Sequence, residues 1–339
     1  MSGDDNASLM SAQEGSAAAV EPFAPSELVV CEECRRANSP NRPSCIYCGA
    51  QLSARVADQI EVRTDSSPTS ETATEYLFLP PEQLPKAAAS ADQIAALLGI
   101  KPEEMLSAIG AGGPLPLFAA STVDEQTKFA GEVETLGLEL VGIPREVTLN
   151  GSWMKLRGLE FSEDTIAPIA KGSTDACFPW SDLVQVVSGR IIRNRVELEE
   201  KRQRGRLKQL GSRHLTADEL LIDLYFKPPA DAWRIYANTF DFSCLQAEKR
   251  VTAFENSAAL LKLIRECALN VEIDDSFNRK RSLLASVWPI ETDSKSEWSP
   301  IIRQKFNFMT VTTVDNESQF DRYSRALQYL RCKALESTE

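Results

Sequence analysis

Two Cys-x-x-Cys pairs near the N-terminus constrain this chain more than any other feature. They lie in "CEECRRANSPNRPSCIYCG", residues 31–49, where Cys31 and Cys34 are followed by Cys45 and Cys48 after ten intervening residues. Zn²⁺ prefers four tetrahedral ligands, and a tight Cys-x-x-Cys turn directs two thiolates at one ion. Because so short a segment has almost no hydrophobic core, metal binding would supply its folding free energy. We therefore predict one structural Zn²⁺ held by these four cysteines.

A redox role fits the spacing less well, since a thioredoxin-type site needs a single Cys-x-x-Cys pair within a βαβ unit.

The four cysteines, together with Asn38 and Gly49, resemble the pattern of the RanBP2-type zinc finger and of the short zinc ribbons in bacterial multidomain proteins. The resemblance covers residues 29–50. It implies a small zinc-stabilised module and does not select a single function.

One position departs from the RanBP2-type pattern. Family members carry a Trp two residues before the first cysteine, and some use it together with arginines to bind single-stranded RNA; this chain has Val29 there. Without that ring, base stacking worth about 1–3 kcal/mol per base is missing. Tyr47 is the one aromatic residue inside the module. The phosphate-binding candidates are arginines, namely Arg35, Arg36 and Arg42. The module is therefore predicted to be structural or to dock a protein, with nucleic-acid binding as the alternative.

The length of 339 residues indicates two or three domains. We predict a multidomain α+β protein with an N-terminal zinc ribbon or knuckle, a small α+β domain, and a strand-rich C-terminal domain with closing helices. The predicted segments are an acidic disordered tail (1–28), the zinc-binding module (29–52), a linker rich in Ser, Thr and Glu (53–75), the small α+β domain (76–150), a strand-rich domain (152–270) with a basic helical insert (190–214), and a C-terminal strand–helix extension (271–339).

The stretch 76–150 carries signals in the order helix, helix, strand, helix, strand. "SADQIAALLGI" offers Ser90 as a helix cap, and "KPEEMLSAIGAGG" has Pro102 in its first turn. "PLPLFAAS" and "LELVGIPREVTL" are apolar runs typical of strands. Between them, Thr122 and Glu125 have the spacing of a capping box. This order predicts a compact α+β unit.

Residues 152–270 have a different sequence pattern, which predicts short strands separated by turn residues. "FPWSDLVQVVSG" predicts a strand that begins near Trp180 and turns near Gly189, and "FENSAALLKLIREC" is a strongly amphipathic helix containing Leu260 and Ile264. This pattern loosely resembles pleckstrin-homology-like or GRAM-like domains. No lipid-binding signature accompanies it, and a fold does not imply a function.

A basic stretch, 190–213, interrupts the strand pattern. It contains nine basic and three acidic residues, whereas the whole chain carries a formal net charge of −12. The stretch predicts either a nucleic-acid or anionic contact surface or, alternatively, an exposed helix or loop solvated by its charges.

Catalytic motifs are not evident in the sequence. His214 is the one histidine, which excludes sites that need two, and no motif places a second acid beside Asp223 or Asp241. Cys177, Cys244 and the other scattered cysteines lie in apolar surroundings and indicate buried thiols in a reducing compartment. The sequence shows neither a signal peptide nor 18 consecutive apolar residues. We expect a cytoplasmic protein without a transmembrane segment.

These observations predict a zinc-binding, non-enzymatic binding or scaffold protein whose partner is a protein. The alternative is a nucleic-acid-associated regulator that uses the zinc module and the basic stretch 190–213 together. An enzyme whose carboxylates carry no recognisable motif is a third possibility.

Overall fold

The structure, a computed structural model, describes residues 29–31, 37–38, 73–149, 151–170, 176–203, 206–228, 232–290, 292–297 and 307–336. The chain divides into two compact units, Met1–Asp65 and Ser66–Glu339. The boundary between them falls inside the predicted linker 53–75. In the first unit, β1 (Val29–Val30) and β2 (Ala37–Asn38) form a short antiparallel ladder.

The second unit begins with a three-stranded sheet in the order β4-β3-β5, in which β3 is antiparallel to both neighbours. Its strands are β3 (Glu75–Leu79), β4 (Leu115–Ala120) and β5 (Val141–Pro144). Its helices are α1 (Leu84–Ala89), α2 (Ala91–Leu98), α3 (Pro102–Gly110), α4 (Val123–Glu134) and α5 (Arg145–Leu149). The three predicted helices and the predicted strand 114–121 are present. The predicted strand 138–149 is a strand only over Val141–Pro144, and its second half is the helix α5. Neither α1 nor β3, which lies at the centre of this sheet, was predicted.

The helix caps differ in detail from the predicted ones. The Thr122 hydroxyl accepts a hydrogen bond from the Glu125 backbone N–H at 3.2 Å, as a capping box requires. The Glu125 carboxylate accepts from the backbone N–H of Ser121 rather than from that of Thr122, at 2.8 Å. Ser90 lies between α1 and α2 and makes no side-chain cap; its backbone N–H donates to the Ala87 carbonyl at 3.1 Å.

A larger mixed sheet follows, with nine strands among the described residues. Their order is β13-β14-β9-β10-β11-β6-β7-β8, and β12 pairs in parallel with β9 beside this path. The strands are β6 (Trp153–Phe161), β7 (Thr165–Ala170), β8 (Phe178–Pro179), β9 (Leu183–Gln203), β10 (Arg206–Phe226), β11 (Ala232–Tyr236), β12 (Glu272–Asp274), β13 (Thr292–Glu297) and β14 (Asn307–Asp315).

The predicted basic helical insert 190–214 is wrong. The described positions of this segment, 190–203 and 206–214, belong to β9 and β10, two antiparallel strands of 21 residues each. The polar half of β9 is flanked by β10 on one side and by β14 on the other, with Arg195 opposite both Leu215 and Thr313. Long-range pairing on both edges overrides the local helix signal of a charge-rich segment.

The remaining helices cover the two faces of the larger sheet. They are α6 (Ala253–Cys267), α7 (Arg281–Val287) and α8 (Glu317–Glu336). Leu260 and Ile264 of α6 are buried in a cluster with Trp233. Phe320 and Tyr323 of α8 are buried in a second cluster, described next. The α+β class predicted from the sequence is confirmed, whereas the pleckstrin-homology-like shape stays a prediction.

One hydrophobic core joins the three predicted segments 76–150, 152–270 and 271–339. It contains Tyr76 and Phe78 of β3, Val187 of β9, Trp288 just after α7, and Phe320 of α8. The Tyr76 and Trp288 rings meet edge to face with centroids 5.2 Å apart. The α5–α8 contact also joins the first and last of these segments. Among the described helices, none is long and apolar enough to cross a membrane.

Candidate functional site

The ladder between β1 and β2 flanks, in the sequence, the segment that contains the first Cys-x-x-Cys pair. Val30 lies opposite Ala37, so positions 31–36 connect the two strands and contain Cys31 and Cys34 by sequence. Cys31 directly follows β1 and is fully buried. A thiolate at the end of a short hairpin is the arrangement that a Cys-x-x-Cys zinc knuckle requires, and four thiolates are a donor set that suits Zn²⁺.

The rest of the predicted zinc site lies outside the described residues. This applies to Cys34, Cys45 and Cys48, and the structure neither brings them together nor separates them. The same is true of Arg35, Arg36, Arg42 and Tyr47. Within the part of the chain that the structure describes, no three His, Cys, Asp or Glu residues form a group able to hold a metal ion. The four-thiolate site therefore remains a prediction, supported on one side by the position of Cys31.

Two arginines of the basic stretch 190–213 contact carboxylates. Arg190 forms an ion pair with Asp218, and Arg193 contacts Asp315 at 3.2 Å and Glu317 at 2.8 Å. Burial lowers the pKa of Arg193, but the hydrogen bond and charge of Asp315 outweigh burial and hold the pKa above its ordinary value. Part of the positive charge seen in the sequence is therefore neutralised. The side chains of 197–212 and of His214 lie outside the described residues.

The most highly charged part of the described core is an ionic network that the sequence analysis missed. Arg234 of β11 donates two hydrogen bonds to Asp223 of β10, at 2.6 and 2.7 Å, and a third to Asp321 of α8 at 2.6 Å. The Ser324 hydroxyl donates to Asp223 at 2.7 Å. The guanidinium carbon of Arg234 lies 3.7 Å from the centroid of the Trp153 ring. This network fixes α8 on the sheet.

Burial and bonding suit Arg234 for a structural role. Its residue is 2 % exposed and Asp223 is 0 % exposed, so neither reaches solvent. Burial lowers the pKa of Arg234, but the hydrogen bonds and charge of Asp223 outweigh burial and raise the pKa above its ordinary value. The pKa of Asp321 is raised, because burial raises it by more than the charge of Arg234 lowers it. The charge of Arg234 is thus held permanently inside the protein.

A second buried cluster surrounds Lys280. Its ammonium donates to the Tyr323 hydroxyl at 2.7 Å and to the Pro114 carbonyl at 3.0 Å, and lies 3.8 Å from the Asp274 carboxylate. The Ser276 hydroxyl donates to the same carboxylate at 2.8 Å. Burial lowers the pKa of Lys280 to about 8, with Asp274 opposing that shift. The cluster ties the loop after α3 to α8, and it is closed to solvent because Lys280 is 1 % exposed.

The thiols of Cys244, Cys267 and Cys332 are not activated nucleophiles. Burial raises the pKa of Cys244 to about 11. Burial also raises the pKa values of Cys267 and Cys332 above the ordinary value. Reactive cysteines need the opposite shift, because the thiolate is the nucleophile.

Two small clefts open near the start of α8. Their volumes are about 110 and 50 Å³, whereas pockets for small-molecule ligands commonly occupy about 300–1,000 Å³. The larger is lined by Ile192, Asn194, Arg281, Ile290, Val314, Asp315, Asn316 and Gln319. The smaller is lined by Ile191, Arg193, Ala217, Asp218, Glu219, Leu221, Tyr236, Asn238 and Glu317. Neither offers the volume of a typical substrate site.

A sequence signal for the Arg234 network does exist. Asp223 interrupts the apolar run "ELLIDLYF", and Arg234 interrupts "WRIY" on the next strand. The two residues are directly opposite in the antiparallel register of β10 and β11. No comparable signal marks Lys280, whose burial depends on elements far apart in the chain.

Comparisons of the chain with protein-family models, curated proteins and solved structures found no match.

Proposed function

We propose that this chain is a cytoplasmic, non-enzymatic binding or scaffold protein whose N-terminal module is stabilised by one structural Zn²⁺ and docks a protein partner. The observation that carries the proposal is the pairing of Val29–Val30 with Ala37–Asn38 around the buried Cys31. The position of Cys31 directly after the first strand of this ladder supports a zinc knuckle. Cys45 and Cys48 supply the other two thiolates.

A docking role suits the module better than base recognition does. The aromatic platform for a nucleotide base is replaced by Val29, which has no ring to stack. In the second unit, Arg190 and Arg193 contact carboxylates and have lost part of their attraction for phosphate. Both observations weigh against the alternative of a nucleic-acid-associated regulator.

A non-enzymatic role is supported by the titratable groups of the described core. Arg234 and Lys280 are buried and hydrogen-bonded to their neighbours rather than directed into a cleft. The Cys244 thiol has a raised pKa. These three groups are therefore not presented to a substrate in a cleft.

The test compares the full chain with a Cys31→Ser/Cys34→Ser variant and with a matched Cys244→Ser/Cys267→Ser control. Metal content is measured by mass spectrometry, and retention on a mixed nucleic-acid column is measured at low and moderate salt. We expect one zinc per chain in the wild type and the control, no zinc in the Cys31→Ser/Cys34→Ser variant, and no retention of any of them. The absence of zinc from the wild type would overturn the proposal. Salt-sensitive retention that the Cys31→Ser/Cys34→Ser variant loses would replace the docking role with the regulator.

A further inference from the structure

The two edges of the long strand β10 are paired over different lengths. It pairs with β9 along its whole length, but it pairs with β11 only from Leu221 to Leu224. No strand among the described residues pairs with this second edge, the outer edge, between Arg206 and Glu219. An unpaired edge presents a row of backbone donors and acceptors that a further strand can use.

Two contacts fix which backbone groups point to the outer edge. The Leu220 carbonyl accepts from the Ala237 backbone N–H at 3.0 Å, and the Asp218 carbonyl accepts from the Asn238 side-chain amide at 3.1 Å. In an antiparallel ladder a residue directs its N–H and C=O to the same side, and successive residues alternate. The register with β9 is regular from Gly211 onward through this region. The outward-directed residues are therefore Ser212, His214 and Thr216.

The outer edge has two natural limits. At one end, Asn238 caps the Asp218 carbonyl, and its backbone N–H donates to the Glu219 carboxylate at 3.3 Å. At the other end, the register shifts between Gln209 and Gly211, and such a bulge disrupts regular pairing. The segment between these limits, Gly211–Ala217, is the open edge.

The open edge is accessible on both faces of the strand. Arg213, Leu215 and Ala217 share one face, Thr216 lies on the other, and all four side chains are exposed. Exposure on both faces leaves room for a strand laid beside β10. Strand addition of this kind gives affinity through main-chain hydrogen bonds and specificity through alternate side chains.

The charge of the β9–β10 hairpin selects the occupant. Residues 195–217 contain seven basic and three acidic residues, in a chain of net charge −12. Two copies of the chain paired through this edge would place two net-basic hairpins side by side, which like-charge repulsion opposes. An extended acidic segment has the complementary sign. We propose that the open edge Gly211–Ala217 binds an extended acidic segment of a partner protein as an added β-strand, independently of the zinc module.

The test uses a fluorescein-labelled heptapeptide of alternating Glu and Val, with binding followed by fluorescence anisotropy. Two further peptides serve as probes: the same sequence N-methylated at alternate residues, and a version with Lys in place of Glu. The protein variants are Thr216→Pro, which removes an outward N–H, and its control Thr216→Ala, which keeps it. Arg213→Glu reverses an exposed charge at the edge. Its control is Lys128→Glu, which reverses an exposed charge on α4, away from the edge.

We expect the acidic peptide to bind the wild type in a salt-sensitive manner and the other two peptides to bind at least about tenfold more weakly. Thr216→Pro and Arg213→Glu should each weaken binding of the acidic peptide by about tenfold, and their controls by less than about threefold. The Cys31→Ser/Cys34→Ser variant should bind as the wild type does, so a failure of the zinc proposal leaves this result unaffected. Circular dichroism melts verify that each variant is folded. If Thr216→Pro does not fold, Arg213→Glu still tests the proposal.

Three outcomes would overturn the proposal. One is no binding of the acidic peptide to the wild type. Another is equal binding of the N-methylated peptide, because strand addition requires free N–H groups on the ligand. The third is self-association of the wild type that Thr216→Pro abolishes, which would make a second copy the occupant.

Discussion

Arg234 and Asp223 face each other across β10 and β11 and form a two-point ion pair inside the protein, with N–O distances of 2.6 and 2.7 Å. Arg234→Met would leave Asp223 as a buried charge without its counter-ion. We expect the free energy of unfolding to fall by about 3–5 kcal/mol, as happens when one partner of a buried pair is removed. Urea unfolding followed by tryptophan fluorescence measures this loss.

The matched control for that change is Arg193→Met, because Arg193 also bridges two carboxylates but its side chain is 45 % exposed. Solvent screening limits such a pair to about 1 kcal/mol. The double variant Arg234→Met/Asp223→Leu should recover part of the loss, because it removes the unpaired charge as well. Equal losses for Arg234→Met and Arg193→Met would show that the buried pair does not hold α8 on the sheet.

Gly113 approaches the Lys280 cluster closely. A Cβ atom at this position would lie 2.6 Å from the Asp274 carboxylate and 3.2 Å from the Lys280 ammonium. We expect Gly113→Ala to lower the free energy of unfolding by more than the roughly 1–2 kcal/mol that a left-handed backbone costs an alanine. Gly112→Ala is the control, since Gly112 also has a positive φ, of +76°, but has no neighbouring atom within 4 Å. If the two glycine variants unfold at the same urea concentration, the contact with Asp274 has no energetic importance.

Local patterns in the sequence predict much of the second unit. Apolar runs mark β4 and β10, and the Thr122/Glu125 pattern marks the start of α4. These signals succeed because each arises within one element. β3, in contrast, was missed because it immediately follows a polar linker and its neighbours in the sheet come from later in the chain.

The basic stretch 190–213 shows where local reasoning fails. Its high charge favours an exposed helix by propensity, but pairing with β14, more than a hundred residues away, makes it a strand. The Arg234–Asp223 pair was visible only as two charges in apolar strands, since the register that joins them is set by the pairing of β10 and β11. Lys280 gives no sequence signal, because its partners Pro114 and Tyr323 come from distant parts of the chain.

The Cys244 thiol should react slowly despite being only partly buried. Burial raises its pKa to about 11, so at neutral pH the thiolate fraction is very small. Cys177, which the sequence predicts to be buried, is exposed and should be alkylated first by iodoacetamide. Peptide mapping by mass spectrometry gives both rates, and repeating the reaction in urea should bring them together. Faster labelling of Cys244 than of Cys177 in the native protein would contradict the pKa shift.

Lys280 should make stability depend on pH in the alkaline range. Its pKa is about 8 in the folded protein, against an ordinary value of 10.5. Between these values the unfolded chain binds more protons than the folded chain, so folding becomes more favourable as the pH rises. The full shift corresponds to about 3 kcal/mol, because one pKa unit is worth about 1.4 kcal/mol.

Lys280→Met removes this titration. The difference in the free energy of unfolding between the wild type and this variant therefore reports the titration of Lys280. The free energies of unfolding of the wild type and Lys280→Met are compared by urea titration from about pH 7 to about pH 10. We expect the wild type to gain stability relative to the variant across this range, with little change in the difference below about pH 7.5, where Lys280 is largely protonated in both states. Burial raises the pKa of Tyr323 well above its ordinary value, and because both proteins contain this residue, its titration cancels in the comparison. A difference that stays constant across the range would mean that Lys280 retains an ordinary pKa, and hence that the cluster with Asp274 and Pro114 is open to water.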